Sequence, residues 1–342
     1  MSQGMGRPNG RPFSVGLCAR STGGHRRVEL VMKTSLRFIA LAAAVLTVLT
    51  VAPSPLAHAQ ERTAYPEKRG LNLTEFPRFV KLANNVYGYE EIRSPGFTTV
   101  SMVVVGSKGV LIADGQGSVA ATQTMLDKIR TITTQPIKWY VVGSDHGDHT
   151  AGNSVLPSDV TYVVSAFSKS QLAKDSAIAR TPAMTSNKAS IDVGGITVNV
   201  LNLGRAHTGG DLMVHLPREN ILFMSEVFLN RVFPAMRSAY PSEWVATIDQ
   251  ALAMHVNRYV PGHGFIEEGN VSREELVTFQ QALKAVIAEA TRLHGLGLTA
   301  ADATKQANWG TYKDWFLSEQ QAPIAVAQVF KELDGKLGPP AK

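Results

Sequence analysis

"GSDHGDHTAGN", Gly143–Asn153, packs His146, His149, Asp145 and Asp148 into five residues directly after the apolar run "IKWYVV" at 137–142. A strand ending in such a loop presents imidazole nitrogens and carboxylate oxygens from a rigid edge, and these donors hold zinc and similar divalent ions. His146 and His149 are three apart in a turn, so their rings reach different neighbours. Asp148 between them is placed to reach a second ion or to orient a water. Ser144 stands where the spacing asks for a third histidine, and reads as a hydrogen-bonding spacer. Asp145, the alternate residue, points elsewhere.

The rest of the chain supplies matching pieces. Beyond residue 59 the histidines are 146, 149, 207, 215, 255, 263 and 294. Four sit in glycine-rich or acid-containing loops: the opening motif, "GRAHTGGD" with His207, and "VPGHG" with His263. Glycines at 143, 147, 204, 209, 210, 262 and 264 let these loops bend tightly. His215 in "DLMVHLP" reads as a strand-face residue. His255 and His294 close helices, where a cation suits the dipole.

Around these loops the pattern alternates between strands and helices. "FTTVSMVVVGSKGVLIADGQGS" reads as two strands joined at Ser107–Gly109. Val119, Thr122, Leu126, Ile129 and Thr133 are spaced for a helix. Further strands are expected at 160–165, 196–201, 211–216 and 221–225. One helix is expected from Ser242 to near His255. A long one is expected from a capping box of Ser272 and Glu275, stopped by Gly295. Two short helices close the chain, one opening near Pro323. This is a layered α/β chain with helices over β-sheet.

Residues 1–59 read as an upstream extension and a cleavable signal peptide. Lys33 and Arg37 precede "FIALAAAVLTVLTVA" and then "PSPLAHAQ", which places the cut after Ala59, with Met32 as the start of translation. The expected location is the periplasm or the exterior, with no stable membrane insertion once the leader is removed. The chain carries 34 basic and 28 acidic residues; seven of the first and one of the second lie in 1–59, leaving 27 of each beyond it. A neutral mature chain argues against a nucleic-acid partner, which requires a basic face. The lone cysteine, Cys18, also lies in the leader, so a bound metal must use His, Asp, Glu or water.

The ordered motifs "SDHGDH", "GRAHTGGD", "ILFMSEVF" and "PGHG", over roughly residues 83–265, resemble the metallo-β-lactamase superfamily. Its pattern is H-x-H-x-D-H, a histidine in G-x-x-H-T-x-G, an acid after LF-x-G, and a late histidine in PGHG. The resemblance implies an αββα metallo-β-lactamase sandwich over residues 60–294, with 295–342 as a helical extension packed on the same domain. It implies a first metal site at Ser144, His146 and His207. A second would use Asp148, His149 and His263, with Glu226 as the bridging acid. Two positions depart from the pattern: Ser144 replaces a histidine, and Glu226 is one methylene longer than the family's acid. The first site is thereby weakened, and one ion on Asp148, His149 and His263 is the more credible load. Asp114 and Asp211 read as buttresses of the ligand loops.

The function this implies is an exported metal-dependent hydrolase, with one or two zinc ions and a small-molecule substrate. Metal-bound water would attack an ester-, thioester- or lactam-type centre, with Asp148 and Glu226 as the catalytic acids. Two other classes stay open. Two histidines and a carboxylate on one face suit iron, hence a mononuclear iron oxidoreductase of the same fold. A lost first-site histidine also suits a non-catalytic binding protein.

Overall fold

The computed structural model describes residues 61–93 and 95–339. The leader, its cleavage after Ala59, Met32 and Cys18 lie outside the described residues.

Two sheets form the middle of the fold. The first runs in the order β1 (Arg78–Ala83), β2 (Val86–Arg93), β3 (Phe97–Gly106), β4 (Gly109–Ala113), β5 (Ile137–Val141) and β6 (Thr161–Val163). Its strands are antiparallel as far as β4 and parallel beyond it. The second comprises β7 (Lys188–Asp192), β8 (Thr197–Leu201), β9 (Met213–Leu216), β10 (Ile221–Phe223) and β11 (Arg258–Val260), with only β10 and β11 parallel. The helices are α1 (Val119–Ile132), α2 (Gly147–Thr150), α3 (Ala166–Gln171), α4 (Ser176–Arg180), α5 (Pro241–Ala253), α6 (Gly269–Gly295), α7 (Ala300–Gln306) and α8 (Ser318–Leu333).

Strand pleating explains the layers. Val100, Met102 and Val104 of β3 and Leu111 of β4 face Val198, Val200, Val214 and Phe223 of the second sheet. The alternate residues Val103, Val110 and Ile112 face Met125, Leu126 and Ile129 of α1. On the other side, Met213 and Leu222 meet Trp244 of α5 and Leu276 and Phe279 of α6. Both faces of the central strands β3 and β4 are covered, so their residues are apolar in either direction. Each such side chain contributes about 1.5–3 kcal/mol on burial. The result is the αββα sandwich.

The C-terminal helices share this outer core, since Ala303 of α7 and Val326 and Val329 of α8 pack into the cluster that holds Trp244. No helix among the described residues is long and apolar enough to cross a membrane.

Two expected helix starts shift. The long helix begins at Gly269, so Ser272 lies in its first turn instead of capping it. There Ser272 Oγ accepts the Tyr259 N–H at 3.0 Å and donates to the Gly269 carbonyl at 2.8 Å. Glu275 is drawn away by Arg231, whose Nη2 donates to it at 2.8 Å. The last helix begins at Ser318 and carries Pro323 inside it.

The loops that follow β4, β5, β8, β10 and β11 meet along one edge where the sheets adjoin. The "PGHG" loop ties that edge together: Val100 N–H donates to the Gly262 carbonyl at 2.8 Å, and His263 bridges to Thr99 and Leu229.

Candidate metal centre

The floor of the site is built on Asp114. Its Oδ1 accepts the N–H of Gly143 at 2.7 Å and of Ser144 at 3.3 Å, and its Oδ2 accepts Ser225 Oγ at 2.5 Å. Asp114 and Ser225 both adopt left-handed backbone, with φ of 60° and 50°. That conformation costs about 1–2 kcal/mol for a side chain with a Cβ. The bonds around Asp114 hold both residues in it, and Glu226 follows as the next residue. Gly262 passes so close to this turn that a Cβ on it would lie 2.4 Å from the Ser225 carbonyl carbon. Here glycine is required by approach.

Beyond Gly143 the chain caps and enters the single turn of α2. His149 in that turn is fully buried; its carbonyl accepts Gly115 N–H at 2.8 Å and Tyr140 OH at 2.9 Å. Its Nδ1 lies 3.1 Å from Asp114 Oδ2, so the acid that shapes the loop also orients the ring. His263 donates Nδ1–H to the Thr98 carbonyl at 2.8 Å, which leaves Nε2 turned inward. Asp148 is clamped by Arg93 Nη2 at 2.6 Å.

Two donor groups result, sharing one residue. Asp148, His149, Glu226 and His263 form one; His146, His207 and Glu226 form the other. In the first group His263 Nε2 lies 3.1 Å from Asp148 Oδ2, 3.2 Å from Glu226 Oε1 and 3.3 Å from His149 Nε2. In the second, His146 Nδ1 lies 2.9 Å from Glu226 Oε2 and 3.1 Å from His207 Nε2, and His207 Nε2 lies 3.3 Å from Glu226 Oε1. Donors on a zinc ion with bonds of about 2.0–2.1 Å stand about 3.3 Å apart in a tetrahedron. These separations lie near that figure, with His149 Nε2 and Glu226 Oε1 wider at 3.8 Å, and nitrogen and carboxylate oxygen are the donors zinc takes.

Charge balance follows from burial and pairing. Burial works to lower His146 and His263, but bonds to Glu226 and, for His263, to Asp148 outweigh it and lift each to about 9. His149 is raised as well, against burial, by Asp114 and Glu226. Burial presses His207 down to about 3, so this ring stays neutral. Glu226 and Asp148, despite burial, are held below the usual carboxylate range by the histidines around them.

The structure brings together all of His146, Asp148, His149, His207, Glu226 and His263. Ser144 stays out of the donor sets: its buried hydroxyl donates to Glu226 Oε2 at 2.5 Å and accepts the His146 N–H at 3.2 Å. Asp145 belongs to neither donor group. Asp211 closes the loop carrying His207 by accepting Thr208 N–H at 2.7 Å and Thr208 Oγ1 at 2.9 Å, and burial lifts it to about 7. Trp244 packs edge-on against His207, with ring centroids 5.1 Å apart.

Three features escape a reading by motif. Arg93 lies on β2, a strand without a signature. Ser238, whose Oγ is 3.2 Å from His146 Nε2, sits in an irregular stretch. The third is the wall of the cavity, which has a volume of about 810 Å³ and is lined by His146, Asp148, His207, Glu226 and His263. Leu229 and Val232 line it from one side and Leu317, Gln321 and Ile324 from the chain's last helix and the residue before it. Exposed Arg237 stands at its rim.

No family model matches the chain. A type 2 metallo-β-lactamase from Bacillus cereus is 21% identical over 168 residues, 48% of this chain and 66% of that protein. One from Bacillus sp. (strain 170) is 21% identical over 192 residues, 54% of this chain and 75% of that protein. Among solved structures, a metallo-β-lactamase from Pontibacter korlensis superposes with a TM-score of 0.53 and 20% identity, covering 60% of this chain and 98% of that one. A stereoselective inverting sec-alkylsulfatase from Pseudomonas sp. gives a TM-score of 0.62 and 13% identity, covering 80% of this chain and 54% of that one. With its four layers, the chain has the metallo-β-lactamase superfamily fold.

Proposed function

We propose that this protein is an exported metal-dependent hydrolase that takes zinc and acts on a small ester-, thioester- or lactam-type molecule. The observation that carries the reading is the pair of donor groups sharing Glu226, all of whose residues but the buried His149 line the 810 Å³ cavity. A fold alone does not choose a chemistry; donor sets open to a cavity narrow it. When bound, the ion supplies Lewis acidity and an activated water at neutral pH.

The chain's own residues supply the rest. Arg93 holds Asp148 in one orientation, so its carboxylate is preset toward the donor group and the cavity. Asp114 and the Thr98 carbonyl fix the rings of His149 and His263. Leu229, Val232, Leu317 and Ile324 form an apolar wall that excludes water and receives a hydrocarbon portion of the substrate. Arg237 at the rim favours a substrate bearing an anionic group. The sulfatase likeness adds sulfate esters to the panel worth testing.

The test is elemental analysis of the purified mature chain, followed by hydrolysis assays on ester, thioester, lactam and sulfate-ester panels. One or two zinc ions per chain with turnover on any panel supports the reading. Bound iron with oxygen uptake would replace it by an oxidoreductase, and a folded chain that takes no metal would replace it by a binding protein. Export rests on the leader sequence, and an amino terminus at Gln60 in the secreted or periplasmic fraction is the expected result.

A further inference from the structure

The two departures from the family pattern touch each other. Ser144 and Glu226 are 82 positions apart in sequence, both are buried, and the serine hydroxyl donates to Glu226 Oε2 at 2.5 Å. A hydroxyl is much smaller than an imidazole, so Ser144 leaves room beside His146. The extra methylene of Glu226 carries its carboxylate into that room. The carboxylate then faces both ways: Oε2 lies 2.9 Å from His146 Nδ1, while Oε1 lies 3.3 Å from His207 Nε2 and 3.2 Å from His263 Nε2.

We infer that Ser144 and Glu226 are a compensating pair: the long acid supplies the donor that a histidine at 144 would give, and the chain binds two divalent ions. This rests on the metal-binding part of the proposed function and reverses the sequence expectation of a single ion. His146, His207 and Glu226 make a three-donor site, and the four-donor group of Asp148, His149, Glu226 and His263 makes the other. Ser144 is a positioning residue. Its backbone is pinned by Asp114, and its hydroxyl fixes which way Oε2 points.

The pairing makes a reciprocal expectation. Glu226→Asp alone withdraws the carboxylate from Ser144 and from His146, and should reduce two ions to one. Ser144→His alone drives an imidazole into the space the carboxylate fills, and should weaken the site beside His146. The double variant Ser144→His/Glu226→Asp should restore two ions, because the short acid makes way for the ring.

The experiment is zinc stoichiometry by elemental analysis after dialysis against micromolar zinc. Cobalt(II) absorption titrations of the same proteins supply break points, and thermal melts confirm that each variant is folded. Expected are two ions in the wild-type chain, one in Glu226→Asp and two in the double variant. Ser144→Ala should keep two ions but bind one of them about tenfold more weakly, the order of one hydrogen bond to a charged group. One ion in the wild-type chain, or both retained in Glu226→Asp, overturns the compensation while leaving the hydrolase reading standing. No ion in the wild-type chain overturns both. Unchanged affinity in Ser144→Ala removes the serine from the pair.

Discussion

Arg93 and Asp148 meet at 2.6 Å at the cavity, one from the second strand of the first sheet and the other from the turn after its fifth. Arg93 also donates Nε–H to Thr99 Oγ1 at 3.0 Å, so the guanidinium is fixed at both ends. Removing the clamp frees Asp148 to rotate. Arg93→Ala should therefore weaken ion binding at the Asp148, His149 and His263 group by about 10–100-fold, the usual effect of losing an orienting partner. Competition titrations with a chelator check this, and unchanged affinity would sink the clamp.

Asp114 touches no ligand atom expected to face the ion, yet it organises Gly143, Ser144, Ser225 and His149. Asp114→Ala leaves two buried backbone N–H groups without their acceptor and two left-handed turns without their anchor. The expected outcome is a folded but less stable chain that loses about 1–3 kcal/mol per orphaned group. Denaturant melts should show the drop even in chelator, which separates this role from metal loading.

The protonated cluster predicts opposite pH responses with and without zinc. His146 and His263 are lifted to about 9, above the ordinary 6.5 or so of a free imidazole. The fold favours their charged forms, so their contribution is complete below pH ~6.5 and is lost as pH rises through about 9. In chelator, the melting temperature should fall over that window, by about 2–4 °C for each kcal/mol lost. Zinc requires the neutral rings, so its binding releases protons and tightens over the same range. Melts whose slopes are parallel in chelator and in zinc would refute this account.

At the cavity rim Arg237 has no acidic partner among the described residues, and its charge acts to lower His146. Arg237→Ala should raise KM for anionic substrates about tenfold and leave kcat within about twofold, since it acts on binding remote from the bond broken. An uncharged ester of the same shape should show little change. Equal effects on both would assign Arg237 to the fold.

Most of this centre was legible because its parts are local. Histidines and acids at short spacing after apolar runs mark loops at strand ends, and the order of four such loops identified the fold. The shifted helix starts have a different origin: Ser272 and Glu275 have the right spacing for a cap, but tertiary partners Tyr259 and Arg231 claim their side chains. The strand Lys188–Asp192 escaped because "KASID" is too polar to show a pattern. The strand Arg258–Val260 is only three residues long. The hairpin of the first two strands turns at Asn84 and Asn85, with Asn85 at φ 61°, a signal the sequence does carry. Arg93 and the Ser144–Glu226 bond belong to another kind. They depend on contacts across 55 and 82 positions that no local spacing encodes.

The ligands are divided between the two sheets. His146, Asp148 and His149 hang from the first, while His207, Glu226 and His263 hang from the second. Neither half of the chain can carry the centre by itself, so an ion there rivets the halves across their seam. Zinc at a hundredfold excess over its dissociation constant adds about 2.7 kcal/mol to global stability per ion. A metal supplied in that excess would then lengthen the time each molecule stays folded.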